Sequence, residues 1–110
     1  MDVTINGKAH PIRFSLNVSR LFCREKGIEL YEMGERFSKV GENMTLEELE
    51  DLALFILIAL REGARKQGKE CTLIIEDVID QMEDESFLPK VFAIQAMGSI
   101  PEGESTEKKT

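Results

Sequence analysis

Few side chains in this chain have the types and spacing that chemistry requires. His10 is the single histidine, and no nucleophile or carboxylate stands at a recognisable catalytic spacing from it. A catalytic histidine needs a nucleophile or an orienting carboxylate within hydrogen-bond reach, and a histidine that binds metal needs further ligands. We therefore interpret His10 as a partly solvated strand residue.

The two cysteines, Cys23 and Cys71, also lack partners in the sequence. They form no C-x-x-C pair and have no neighbouring histidine, so the paired ligand spacing of a zinc site is missing. Two thiols make no disulfide framework at this length and are typical of a reducing compartment. We expect Cys23 to be a small buried residue and Cys71 to be a loop residue.

An acidic run between positions 76 and 85 is the strongest charged feature. At helical spacing, one face of this run carries four carboxylates, those of Glu76, Asp80, Glu83 and Asp84. Carboxylates bind hard cations, but a calcium loop alternates its ligands around a turn glycine, and this run has no such pattern. Paired carboxylates also serve glycosidases, where they lie in the substrate cleft of a larger fold. We interpret the run as a solvated helix face, whose alternative role is to bind a basic protein partner.

The composition and the absence of known motifs exclude further classes of function. The sequence motifs of nucleotide-binding loops, serine hydrolases and zinc proteases do not occur, so we expect no catalytic residue, no cofactor and no metal. The net charge of −7 argues against nucleic acid and anionic membranes as partners. The longest apolar run covers less than half a membrane span, and the N-terminus lacks the pattern of a secretory signal. These features predict a cytoplasmic protein.

The elements that must position these residues begin with a β-hairpin over residues 2–16. Asn6-Gly7 is the pair that a two-residue type I′ turn prefers, because both positions take positive φ. Such a turn pairs Ile5 with Lys8. Strand alternation then predicts one apolar face, which consists of Val3, Ile5, Ile12, Phe14 and Leu16.

A long helix over about residues 45–67 is predicted to be the centre of the fold. Thr45 and Glu48 form a capping box at its start, where acidic residues up to Asp51 are crowded, and basic residues crowd its end. The stretch 52–60 is apolar without interruption. A helix that is apolar all round is surrounded by protein, so we expect a buried middle and solvated ends.

One stripe of this helix is a candidate partner-binding surface. The stripe is polar at both ends and apolar only at Leu54 and Ile58, with Phe55 beside them. Something must cover these three side chains. The favoured interpretation is that the rest of the domain covers them, because burial of apolar surface is the default driving force within a domain. The alternative is that a protein partner covers them.

The rest of the chain predicts four further helices, over about residues 18–26, 29–38, 73–83 and 87–97. Asn17 is the expected N-cap of the first, Gly27 its stop signal, and Ser86 the N-cap of the last. Residues 1–98 are expected to form a single globular domain, and 99–110 a disordered tail of low hydrophobicity. The prediction is an α+β fold, an N-terminal β-hairpin followed by four to five helices packed around a central hydrophobic helix.

Three segments carry a resemblance to a known family, namely Val3–Phe14, Leu52–Gly63 and Thr72–Asp80. Their layout is a hairpin with the turn sequence ING, a capped central helix and an acidic helix after it. It resembles the tail assembly chaperones of long-tailed phages (siphoviruses) and prophages. The resemblance implies a non-catalytic protein of the bacterial host cytoplasm that binds the tape-measure protein, helps to recruit tail-tube subunits and is absent from the finished virion. It also implies a longer form made by programmed frameshifting.

The sequence is also compatible with a second function. A small cytoplasmic regulatory adaptor would use the acidic face to bind a basic protein partner, and its complexes would be sensitive to salt. Burial of an apolar segment, in contrast, persists at high salt. The sequence leaves the oligomeric state and the identity of the partner undecided.

Overall fold

The computed structural model describes residues 1–37 and 44–99 and has the predicted α+β layout. Within these residues, an antiparallel two-stranded hairpin precedes five helices. The strands are β1 (Asp2–Ile5) and β2 (Lys8–Pro11). The helices are α1 (Leu16–Lys26), α2 (Leu30–Arg36), α3 (Leu46–Lys66), α4 (Ile75–Met82) and α5 (Phe87–Ser99). Residues 38–43 and 100–110 lie outside the described part, so the predicted end of the second helix and nearly all of the predicted tail do too.

The hairpin has the register that its turn predicts. Asn6 and Gly7 take positive φ of 55° and 79°, and Ile5 lies opposite Lys8. Because Asn6 is one of the residues that tolerate this left-handed backbone, the turn closes without a second glycine. Val3 and Ile5 are buried, so the apolar face of the first strand packs on the core as expected.

The second strand is shorter than expected and ends at Pro11 instead of continuing towards Leu16. Pro11 has no amide hydrogen for a ladder, and two residues later the Arg13 amide donates to the Ala59 carbonyl of α3 at 3.1 Å. The chain thus leaves its partner strand for the central helix. Leu16 begins α1 with 75% of its surface exposed, so its predicted place on the buried face is wrong.

Helix α1 has the predicted end but a different start. Gly27 caps its C-terminus in the left-handed conformation, with φ of 69°. The N-cap is Ser15, and Asn17 lies inside the first turn, where its amide donates to Glu62 of α3 at 3.4 Å. The expectation that Asn17 caps the helix is therefore wrong, because its side chain is engaged in a contact between helices.

Helix α3 is capped as predicted and surrounded by the rest of the domain. The Glu48 amide donates to Thr45 Oγ1 at 3.1 Å, and the Thr45 amide donates to Glu48 Oε1 at 2.8 Å. Around α3, the rings of Phe14, Phe22, Phe37 and Phe55 contact one another with centroid separations of 5.2–5.6 Å. This aromatic cluster joins the hairpin exit, α1 and the end of α2 to one side of the central helix.

The last two helices are joined by a tight connection. Asp84 Oδ1 accepts hydrogen bonds from the Ser86 amide and hydroxyl, at 2.9 and 2.8 Å. Helix α4 begins at Ile75, two residues later than predicted, although Leu73 before it is already buried. Val78 of α4 and Val91 of α5 are fully buried, so both helices cover the core.

Candidate functional site

The three candidate partner-binding residues of α3 do not form an open surface in the structure. Phe55 is 5% exposed and Ile58 is 6% exposed, whereas Leu54 is half-buried. The Phe55 ring is covered by three other rings of the aromatic cluster. The domain itself therefore covers most of this stripe, and a partner could reach only what its edges leave open.

Two clefts lie at the edges of this stripe of α3, one beside Phe55 and one above Ile58. The first cleft has a volume of about 320 Å³, and among the described residues it is lined by Phe37, Leu52, Phe55, Phe92 and Gln95. It lies where the end of α2 and α5 meet α3. Phe37 and Phe92 are half-buried, and each can present part of its ring to an incoming side chain. We call this site the aromatic cleft.

Among its described lining residues, the aromatic cleft has groups that could bind a partner but none that could react. Four of its described lining residues are hydrocarbon side chains, and Gln95 supplies the single amide. Concave apolar sites with one or two polar groups are typical of places where a ligand or a partner's side chain is bound and oriented. Aromatic walls favour apolar and aromatic partners, because ring contacts add to the area that is buried.

All four residues of the acidic face are exposed, and one of them, Asp84, also has a structural role. Glu76, Asp80 and Glu83 are exposed, and within residues 1–37 and 44–99 their carboxylates have no hydrogen-bond or ion-pair partner. Asp84 instead joins α4 to α5 through its bonds to Ser86. These backbone and side-chain hydrogen bonds lower the pKa of Asp84 from its ordinary value. In the described part of the chain, no group of His, Cys, Asp and Glu is placed to hold a metal ion.

Two buried carboxylates on α3 were not identified from the sequence. The first is Asp51, which is 2% exposed although it was expected at a solvated helix end. Its oxygens contact Lys26 Nζ at 2.7 Å and Arg36 Nη1 at 2.6 Å. The carboxylate therefore ties α1 and α2 to α3. No local pattern predicts this, because both cations come from other helices.

The second buried carboxylate is Glu62, which is 4% exposed. Arg65 donates to both of its oxygens, at 2.9 and 2.7 Å, and Asn17 donates to one of them. The Arg65 hydrogen bonds are the main cause of a lowered Glu62 pKa, and burial opposes them. The Glu62–Arg65 spacing of three residues was a usable signal, since such pairs are neighbours on a helix surface.

The residues that could have done redox or acid–base chemistry are separate from one another. His10 is half-buried on β2, and it has no hydrogen bond to a side chain in the part of the chain that the structure describes. Cys23 is buried and Cys71 is half-buried in a loop, as expected, and both thiols are free. Burial, followed by the nearby Glu29 and Glu32 carboxylates, raises the Cys23 pKa above its ordinary value. A thiol of this kind is a poor nucleophile.

The described helices include none that is both long enough and apolar enough to cross a membrane. No protein-family model, no curated protein and no solved structure matches the chain.

Proposed function

We propose that this protein is a non-catalytic tail assembly chaperone of a long-tailed phage or prophage. In this role it binds the tape-measure protein in the cytoplasm of the bacterial host and helps to recruit tail-tube subunits. The resemblance of the three segments to that family supports the proposal. The order of elements supports it too, since an ING hairpin is followed by a capped central helix and then by an acidic helix.

The structural feature that supports this proposal most directly is the aromatic cleft. A chaperone for long hydrophobic helices needs an apolar recess of limited size that is bounded by polar surface. The cleft offers about 320 Å³ beside Phe55, enough for one or two large apolar side chains of a partner helix. Because Leu52 and Phe55 belong to the rigid central helix, the floor of the cleft is preformed and costs little ordering on binding.

The proposal is tested by co-expression with the tape-measure protein of the same gene cluster. We expect the soluble fraction of the tape-measure protein to rise in the presence of this chain, and a complex to survive gel filtration at high salt. If the tape-measure protein is equally soluble with and without the chain, the proposal is wrong.

A pair of α5 variants makes the test specific for the cleft. Phe92→Ala removes a ring that lines the cleft, whereas Leu88→Ala removes a half-buried side chain of the same helix that does not line it. We expect Phe92→Ala to lower tape-measure binding by roughly tenfold, an effect of the size of one lost apolar anchor. Leu88→Ala should bind like the unaltered chain. Thermal unfolding of both variants separates lost binding from lost folding.

The exposed carboxylates on α4 and at its C-cap favour a second candidate function, a small regulatory adaptor that binds a basic protein. Glu76, Asp80 and Glu83 are free to pair with lysine or arginine side chains of a partner. Triple substitution of these residues with Gln should abolish such binding, and moderate salt should dissociate the complex. A complex that resists both changes belongs to the chaperone function instead.

A further inference from the structure

The second cleft above Ile58 lies between α1 and α3 and is bordered by arginines. Its volume is about 500 Å³. Arg20 and Arg24 of α1 line one side, and Arg61 and Arg65 of α3 line the other. Their spacing of four residues keeps each pair on one helix face. We call this cleft the arginine groove.

The arginine groove concentrates positive charge on an acidic protein. Among the described residues, four arginines line it against two glutamates, Glu25 and Glu62, whereas the whole chain has a net charge of −7. Like charges four residues apart destabilise a helix, so this placement of the arginines does not stabilise the fold. The helix dipole favours cations near the C-terminal ends of α1 and α3, but it does not require them to face one another across a cleft.

Two of the four arginines are already engaged. Arg65 binds the buried Glu62 carboxylate through two hydrogen bonds, and Arg20 donates to Asn17 Oδ1 at 3.2 Å. Arg24 and Arg61 are exposed, and their guanidinium groups have no hydrogen-bond or ion-pair partner among residues 1–37 and 44–99. Each therefore presents a full set of guanidinium donors to the groove.

The two open arginines are separated along the groove, with an apolar floor between them. Asn17 contacts Glu62 and Lys26 contacts Asp51, so α1 and α3 run antiparallel. Arg61 therefore lies near the start of α1, roughly 9–10 Å along the axis from Arg24, at 1.5 Å per residue. Leu21 and the remaining exposed edge of Ile58 lie in the floor.

We propose that the arginine groove binds an acidic, amphipathic helical segment of a protein partner. Carboxylates two turns apart on that segment pair with Arg24 and Arg61, and the apolar side chains between them pack on Leu21 and Ile58. The spacing fits residues i and i+7 of a helix, which are about 10.5 Å apart. This surface is distinct from the aromatic cleft and does not depend on the identity of the partner proposed there.

The observations favour an acidic protein segment over a nucleic acid. The described residues that line the groove include no aromatic side chain on which a base could stack. Glu25 and Glu62 stand in its lining, and a long polyanion that continued past it would meet the repulsion of an acidic protein. A short segment with two carboxylates avoids that repulsion.

The test uses the whole chain and a labelled alanine-based helical peptide, with two Glu residues two turns apart and two Leu residues between them. Its control peptide has Gln in place of both Glu residues, and a labelled single-stranded oligonucleotide is the third probe. By fluorescence anisotropy we expect the Glu peptide to bind at least tenfold tighter than the Gln peptide, and its affinity to fall with added salt.

Charge-matched variants identify the surface. The double variant Arg24→Gln/Arg61→Gln should lose roughly tenfold or more in affinity for the Glu peptide. The double variant Lys69→Gln/Lys90→Gln removes the same charge from exposed positions outside the groove and should stay within about twofold of the unaltered chain. Phe92→Ala should leave peptide binding unchanged, so failure of the cleft and failure of the groove are distinguishable.

Three results would overturn this inference. The first is no binding of the Glu peptide, or equal binding of both peptides. The second is an equal loss in the two double variants, which would mean that only net charge matters. The third is tighter binding of the oligonucleotide than of the Glu peptide, which would assign the groove to nucleic acid.

Discussion

Gly63 lies where the central helix approaches the backbone of the hairpin exit closely, so a larger residue there should lower stability. A Cβ atom added at Gly63 would lie 2.5 Å from the Pro11 oxygen, 2.6 Å from the Pro11 carbonyl carbon and 2.8 Å from the Ile12 nitrogen. All three obstacles are backbone atoms, which cannot rotate aside as a flexible side chain can. Ordinary contact begins at 3.4 Å, so the strand must move by almost an ångström.

The cost of Gly63→Ala follows from two opposing terms. Overpacking of a well-packed site costs about 1–3 kcal/mol, and rigid backbone obstacles place this site at the upper end. The better helix propensity of alanine returns about 1 kcal/mol. We expect a net loss of about 2 kcal/mol in the free energy of unfolding, which corresponds to a fall of roughly 8 °C in melting temperature for a domain of this size.

Gly34→Ala is the matched control. Gly34 also lies inside a helix, but a Cβ atom there would meet no atom of the described residues within 4 Å. The same substitution should therefore stabilise the protein by about 0.5–1 kcal/mol. Urea and thermal unfolding followed by circular dichroism measure both variants. The packing argument is refuted if Gly63→Ala is as stable as the unaltered chain, or if both variants shift in the same direction.

The remaining predictions concern the polar groups of the central helix. Glu62→Gln should lower the free energy of unfolding at neutral pH by roughly 1–3 kcal/mol, because it removes a charged hydrogen-bonding partner of Arg65. The folded-state pKa of Glu62 lies below its ordinary value of 4.5, so its contribution is present above that pH and is lost as the pH falls through the folded pKa. The stability difference between Glu62→Gln and the unaltered chain should accordingly shrink below about pH 4.5 in urea titrations, and a constant difference would contradict this. Asp51→Asn should cost about 1–3 kcal/mol, since Lys26 and Arg36 lose their shared carboxylate but can still reach solvent; an unchanged midpoint in urea would show that the three charges contribute nothing. Thr45→Ala should cost about 1 kcal/mol through loss of the N-cap of α3, and calorimetry that shows no fall in melting temperature would exclude the capping box as a stabilising element.

Local chemistry explains which elements could be predicted. The Asn6-Gly7 turn specifies its own conformation, because few other pairs take positive φ at both positions. The Thr45–Glu48 capping box and Gly27 act within one helical turn of themselves, so they mark helix ends without reference to the rest of the fold. Predictions were wrong where a residue contacts a distant part of the chain. The Asn17 side chain donates to Glu62 instead of capping α1. After Pro11 the Arg13 amide donates to Ala59 of α3, and the strand does not continue.

In the candidate sites, too, some features could be predicted from the sequence and others could not. The uninterrupted apolar stretch of α3 correctly indicated a helix enclosed by protein, and it drew attention to Phe55 and Ile58. It did not show that each of them would border a different cleft, because the opposite walls come from α1, α2 and α5. The arginines of α1 and α3 are far apart in the sequence, and nothing in either helix alone predicts that they face each other.

The sequence by itself determined the hairpin register, the helix caps at Gly27 and Thr45, the central position of α3 and the lack of a recognisable catalytic motif. These depend on steric and hydrogen-bonding preferences that operate over a few residues. Only the tertiary structure decided that Asp51 and Glu62 are buried, where the aromatic cleft opens, and that four arginines line one groove. Those outcomes depend on which helix faces meet, and burial of a charge is tolerated only once its partners from other parts of the chain have been placed beside it.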